Sequence, residues 1–193
     1  ITERSVTVKI DKEGPEIDVL YNSQPARSVN LIVRATDEGI GVKEMTLPNG
    51  EKVSGDQTTF EVTENGTYVF EAIDLLGNKS TKTVRITNID RTPPELELKV
   101  HPTGWTNDSV QITVTATDAN GIGRIILPDR TSVHSSQATF VVTKNGVYYF
   151  TVYDVIGNSR TVGVKVKNID SGVPELNIRR VDEHKVRLEY NDR

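Results

Sequence analysis

The sequence predicts an all-β chain built as tandem two-sheet sandwiches, and three observations carry the prediction. The first is composition. Among 193 residues there are 14 Gly and 8 Pro but one Met and one Trp, and the apolar residues are mostly Val, Ile, Leu, Phe and Tyr, a mix that suits short strands and starves long helices. The second is an internal repeat. Residues 62–78 (VTENGTYVFEAIDLLGN) return as 142–158 (VTKNGVYYFTVYDVIGN), and from Thr59 to Asp90 16 of 32 positions are identical to the residue 80 later. The third is period-two alternation of apolar residues between clusters of turn residues.

Composition also removes whole classes of function. There is no cysteine, which excludes disulfides, cysteine-based metal sites and thiol nucleophiles while remaining compatible with secretion, since a core of sufficient size needs no covalent staple. A formal net charge of −4 gives no global attraction to nucleic acid or to an anionic membrane surface. No apolar run approaches the roughly 18 residues of a membrane helix, and no signal peptide is recognisable.

The repeat sets the domain boundaries. A period near 80 residues exceeds a solenoid turn and suits a small self-contained unit. The joints KIDKEGPEI (9–17), NIDRTPPEL (88–96) and NIDSGVPEL (168–176) share Ile-Asp, a spacer, then Pro-Glu-apolar. Cutting there assigns 13–89 to a first unit and 90–169 to a second. Residues 1–12 then read as the last strand of a preceding repeat, and 170–193 as the first strands of a further, truncated one.

Within the second unit, strands are expected over 95–100, 109–117, 124–127, 138–142, 147–154 and 160–167. PTGW, DANGIG, PDRTS, KNG and DVIGN supply the turns between them. On the second strand Val110, Ile112, Val114 and Ala116 share one face; Val29, Leu31, Val33 and Ala35 are the first unit's equivalents. On the strand at 147–154, Tyr148, Phe150 and Val152 alternate with Tyr149, Thr151 and Tyr153. Glu71, the counterpart of Thr151, marks that second set as the outer face. Tyr68 and Tyr148 therefore point inward just after Asn-Gly corners, the position of an immunoglobulin-type tyrosine corner, with Phe70 and Phe150 standing where an antibody domain has cysteine. The fold class read from these residues is all-β, with tandem immunoglobulin-like β-sandwiches of Greek-key type closed by aromatic packing.

These units resemble bacterial immunoglobulin-like (Big-type) domains of secreted and cell-surface proteins. The resemblance rests on Asn-Gly-x-Tyr (65–68, 145–148), Asp-x-x-Gly-Asn (74–78, 154–158), Ala-Thr-Asp (35–37, 116–118), Gly-Trp-Thr-Asn (104–107) and Pro-Pro-Glu (93–95). It covers nearly the whole chain, although the first unit lacks the Trp-Thr-Asn element. It implies a spacer, stalk or adhesion region without catalysis, placed outside the cell or in the cell wall. Its implied partners are neighbouring repeats of the same chain and a host or cell-wall protein or glycan, with no nucleic acid and no membrane insertion. The alternatives are a glycan- or protein-binding module and an accessory region of a secreted glycan-active enzyme.

The motifs of chemistry are sparse. His101, His134 and His184 form no zinc-ligand spacing, and no nucleophile elbow or phosphate loop is present. No cofactor is expected beyond calcium. In an immunoglobulin-type sandwich the chain entry and two inter-strand loops gather at one end. That places Asp11, Asp37, Asp74 and Asn78 together in one repeat, and Asp90, Asp118, Asp154 and Asn158 in the next. Such hard oxygen groups suit calcium, whereas the same residues also cap their own turns. Trp105 is a candidate platform for a ligand, and the outer Tyr149 and Tyr153 with Thr151 are a second candidate face, for which cross-strand pairing is the plainer account. Because tryptophan is usually well buried, its ring is expected to cap the open end of the sandwich.

Overall fold

A computed structural model of the chain describes residues 11–170, 172 and 175–191. The chain divides into two compact units, Ile1–Thr92 and Pro93–Arg193. The strand expected within residues 4–10 lies outside the described residues.

The described residues of the first unit form seven strands and no helix: β1 (Glu16–Leu20), β2 (Val29–Thr36), β3 (Val42–Thr46), β4 (Lys52–Ser54), β5 (Gln57–Val62), β6 (Gly66–Asp74) and β7 (Lys79–Ile86). They make a three-stranded sheet in the order β1–β2–β5 and a four-stranded sheet in the order β4–β3–β6–β7. The second unit repeats this with β8 (Glu95–His101), β9 (Val110–Thr117), β10 (Ile122–Ile126), β11 (Ser132–Val133), β12 (Gln137–Val142), β13 (Gly146–Asp154) and β14 (Ser159–Val166). Its sheets run β12–β9–β8 and β11–β10–β13–β14. The short β4 and β11 fall inside what reads in the sequence as turn, because two or three residues are too few for alternation to register.

Each unit has its own core, filled from both of its sheets. Alternation on β2 buries Val29, Leu31, Val33 and Ala35, and these meet Met45, Phe70, Ala72 and Ile86 from the other sheet. In the second unit Val110, Ile112, Val114 and Ala116 meet Ile125, Phe150, Val152 and Val166. Phe70 and Phe150 are essentially inaccessible to solvent. Each meets the ring of a strand in the opposite sheet edge-on: Phe60–Phe70 centroids lie 6.0 Å apart and Phe140–Phe150 centroids 6.2 Å. Such aromatic pairs add about 0.5–1.5 kcal/mol beyond burial, and truncating a fully buried Phe costs about 3–5 kcal/mol.

One turn sets the repeats apart. In Leu47–Gly50 and Leu127–Arg130 the same bonds close the turn: the Gly50 and Arg130 N–H groups each donate to the carbonyl three residues back at 2.8 Å. The fourth position takes a left-handed backbone, φ 84° at Gly50 and 72° at Arg130. Glycine adopts that region freely, whereas Arg130 carries a steric cost.

The remaining described residues pair as an antiparallel hairpin, β15 (Glu175–Asp182) with β16 (Lys185–Asn191). Leu176, Ile178, Val186 and Leu188 on it are all exposed.

Candidate functional site

The expected acidic set of the first unit is built by three turns. Asp37, just beyond β2, accepts the N–H groups of Gly39, Ile40 and Gly41 on Oδ1 at 3.1, 2.9 and 2.9 Å. Asp74 ends β6, and its Oδ1 accepts the N–H groups of Leu76, Gly77 and Asn78 at 2.8, 2.6 and 2.8 Å. Its Oδ2 accepts Asn78 Nδ2 at 2.6 Å. Asp11 precedes β1, and its Oδ1 accepts the Glu13 N–H at 3.1 Å. These local bonds explain why Asp sits at each place: a short carboxylate satisfies the N–H groups that a tight turn leaves free.

The three turns bring Asp11, Asp37 and Asp74 together, with one carboxylate oxygen of each within 4.8 Å of the others. Asn78 joins them as a donor, to Asp74 Oδ2 and, at 3.4 Å, to the Asp11 carbonyl. Asp74 is fully buried. Burial pushes its carboxyl up, but the bonds from Asn78 Nδ2 and from the N–H groups of Asn78, Gly77 and Leu76 together outweigh it and hold Asp74 below the usual carboxylate range. Asp11 Oδ2 is buried with no hydrogen-bond partner. Gly39 packs so closely on it that a Cβ there would collide with that oxygen. A hollow of about 540 Å³ borders the cluster, and Glu13, Glu16 and Glu38 add further acidic groups to its lining.

In the second unit Asp154 Oδ1 accepts the N–H groups of Ile156, Gly157 and Asn158 at 2.9, 2.6 and 2.8 Å, and its Oδ2 accepts Asn158 Nδ2 at 2.8 Å. Asp118 Oδ1 accepts the Asn120 N–H at 2.8 Å. Asp90 belongs to the first unit, where its N–H donates to Ala26 O at 2.9 Å and its Oδ1 accepts the Thr92 N–H at 2.8 Å.

The tyrosines after the Asn-Gly corners are half-buried. Tyr68 Oη donates to Glu64 O at 2.7 Å and Tyr148 Oη to Lys144 O at 2.6 Å. The Asn of each corner has a role that the sequence reading does not contain. Asn65 Nδ2 donates to Ile89 O at 2.8 Å, and Asn65 Oδ1 accepts the Ile89 N–H at 2.8 Å. Asn145 does the same to Ile169, at 2.7 and 3.0 Å. The side chain thus closes a two-bond clamp on backbone 24 residues away. The identity of Asn-Gly and Ile-Asp in both repeats was the only available signal.

A second clamp follows one residue earlier. Asn88 Nδ2 donates to the carbonyls of Asn22 and Gln24 at 3.1 and 2.7 Å, and Asn168 Nδ2 to those of Pro102 and Gly104 at 2.9 and 2.7 Å. Parallel bridges Ala26–Ile89 and Thr106–Ile169 complete it. In this frame Trp105 occupies the place of Pro25. The expectation that the Trp105 ring caps the sandwich is overturned: it is 77% exposed. The backbone on either side is tied to Asn168, so the loop and not the ring decides where the indole points.

The outer face of the four-stranded sheets also differs between repeats. The first carries the exposed ion pairs Glu44–Lys52 and Glu71–Lys79, at 2.6 and 2.8 Å. The second carries Tyr149 against Gly163, a Thr151–Thr161 hydroxyl bond of 2.8 Å, and Arg124 4.3 Å from the Tyr153 ring centroid. His101, His134 and His184 are exposed.

No protein-family model and no curated protein matches the chain. Among solved structures it is similar to a beta-glucuronidase from glycoside hydrolase family 2, at 16% identity and TM-score 0.30 over 82% of this chain. It spans 21% of that enzyme's length. It is also similar to the human OSCAR ligand-binding domain, at 13% identity and TM-score 0.32, over 79% of this chain and 97% of that one. Scores this low assign neither a fold type nor an activity.

Proposed function

We propose that the chain is a non-catalytic run of tandem immunoglobulin-like, Greek-key sandwiches from a secreted or cell-surface bacterial protein, and that it holds distance between other parts or joins an adhesive surface. The observation that carries this reading is the double clamp at the end of each repeat. Ile89 and Ile169 are buried, clamped by Asn65 and Asn145, and bridged to residues 26 and 106. The residue from which each joint departs is thereby fastened to its own unit, the arrangement a load-bearing spacer needs. The strand orders β1–β2–β5 and β4–β3–β6–β7, repeated in the second unit, support the Greek-key assignment. The extracellular or cell-wall setting and the bacterial source rest on the family resemblance. By sequence, Leu176 and Ile178 on β15 stand 80 residues after Leu96 and Leu98 on β8, which supports reading 170–193 as the first strands of a further repeat, although two residues join β15 to β16 where eight join β8 to β9.

Pulling the chain by its ends tests the reading. Two force peaks of similar height are expected, each releasing roughly 250 Å from about 75 ordered residues at ~3.4 Å per residue. A featureless extension contradicts it.

The acidic cluster extends the proposal to calcium. Asp11, Asp37 and Asp74 are a hard oxygen set, and the buried, unpartnered Asp11 Oδ2 fits a cation better than it fits an empty site. These three carboxylates would hold the ion, which would relieve their mutual repulsion and tie the chain entry to the ends of β2 and β6. Asp90, Asp118, Asp154 and Asn158 are the equivalents by sequence. A second reading, a binding module, is favoured by the exposure of Trp105.

A further inference from the structure

We infer that the Trp105 loop of the second repeat is a binding site for a neutral saccharide, with the indole as a stacking platform; this deepens the binding-module reading and rests on it. The first support is that the fold has no use for the ring. Pro25 occupies the same position in the first repeat, and the bonds around it are the same: Asn88 to the carbonyls of 22 and 24, and the Ala26 N–H to Asn88 O at 3.0 Å. In the second repeat Asn168 bonds the carbonyls of 102 and 104, and the Thr106 N–H donates to Asn168 O at 2.9 Å. A large apolar ring left 77% exposed on such a frame contributes little to the stability of its own unit.

The second support is pre-organisation. Gly104 and Thr106, on either side of the indole, are each fixed to Asn168. The Asp170 N–H donates to Thr106 O at 2.7 Å, and Thr106 Oγ1 accepts the Asp108 N–H at 3.1 Å. A ligand therefore meets a ring whose backbone is already ordered, so little conformational freedom is lost on binding.

The surroundings decide the chemistry. His101, Thr103, Asn107 and Asp108, within four residues of Trp105 along the chain, are exposed. They offer an imidazole, a hydroxyl, an amide and a carboxylate, which are hydrogen-bond partners for sugar hydroxyls. Residues 101–109 contain no Lys or Arg and one Asp, so the loop itself supplies no countercharge for a phosphate, a nucleic acid or an anionic membrane. A protein hot spot needs apolar neighbours that exclude water from the central aromatic, whereas the chain neighbours of Trp105 are mostly polar. A pyranose, apolar on one face and hydroxylated at its edge, matches both features.

Trp105 is the sole tryptophan, so its fluorescence reports this site alone. The full chain is titrated with cellohexaose, chitohexaose, maltohexaose and a β-linked galactan oligosaccharide. The expected result is a saturable blue-shifted change with at least one of them. Trp105→Ala, read by saturation-transfer NMR of the same sugar, should weaken binding by at least about tenfold. Trp105→Pro, which copies the first repeat, should abolish binding and keep the melting temperature. No saturable change with any of the four overturns the inference, and so does unchanged binding in both variants. A change that appears only with rising protein concentration or with an anionic polysaccharide also overturns it, while leaving the broader binding reading standing.

Discussion

Replacing Asn145 by alanine removes both halves of the clamp on Ile169, the bonds of 2.7 and 3.0 Å. A typical hydrogen bond contributes about 1 kcal/mol net, and a buried polar group left without a partner costs about 1–3 kcal/mol. Ile169 is 5% exposed, but Asn145 itself is exposed and both bonds are only half-buried, so water partly replaces the amide. The expected loss is about 1–2 kcal/mol from the second repeat alone. For a unit of this size, that lowers its melting temperature by about 4–16 °C, given the usual 4–8 °C per kcal/mol. Differential scanning calorimetry of the full chain reads it directly, and Asn65→Ala should lower the first repeat in the same way. Asn145→Asp refines the test. Its carboxylate can still accept the Ile169 N–H, but its second oxygen faces the Ile169 carbonyl, so the folded state favours the protonated acid. A folded pKa raised above the unfolded value gives stability that is present at low pH and lost as pH rises through the folded pKa. A loss below about 0.5 kcal/mol for Asn145→Ala, some 3 °C, would refute the clamp as a structural device.

Three further outcomes are expected. Arg130→Gly, which restores the residue of the first repeat at a left-handed position, should raise the melting temperature of the second repeat by about 1 kcal/mol equivalent; Gly50→Arg should lower the first. Because Asp74 is held below the usual carboxylate range, its contribution is present at neutral pH and lost as pH falls through its lowered pKa; acid titration should show Asp74→Asn less stable at neutral pH and flatter below pH 4. Millimolar calcium should raise the melting temperature of the first repeat relative to chelator. Asp11→Asn should remove that rise without destabilising the calcium-free protein, because it deletes one of three mutually repelling charges; equal melting with and without calcium rejects the metal reading.

Some of this molecule is legible in its sequence, and the reason is geometric. The stripe Val110, Ile112, Val114, Ala116 is visible because a strand's side chains alternate, so burial on one face writes a period of two. The inward set on β13 follows from comparing Tyr149, Thr151 and Tyr153 with Val69, Glu71 and Ile73, since a charge marks the wet side. Turn-capping aspartates at 37, 74, 118 and 154 are legible from turn chemistry. The Asn65–Ile89 and Asn145–Ile169 clamps are not, because a side chain bonding backbone 24 residues away leaves no local pattern. Trp105 misleads for another reason. Average burial of tryptophan describes rings free to seek the core, whereas this one is carried outward by a loop whose carbonyls are already committed to Asn168.

Each repeat is expected to contain everything its fold requires. Residues 11–92 and 93–170, produced separately, should each unfold cooperatively in calorimetry, at the temperature of one of two transitions in the whole chain. Fragments that remain unfolded alone, or a whole chain that melts in a single transition absent from both, would contradict it.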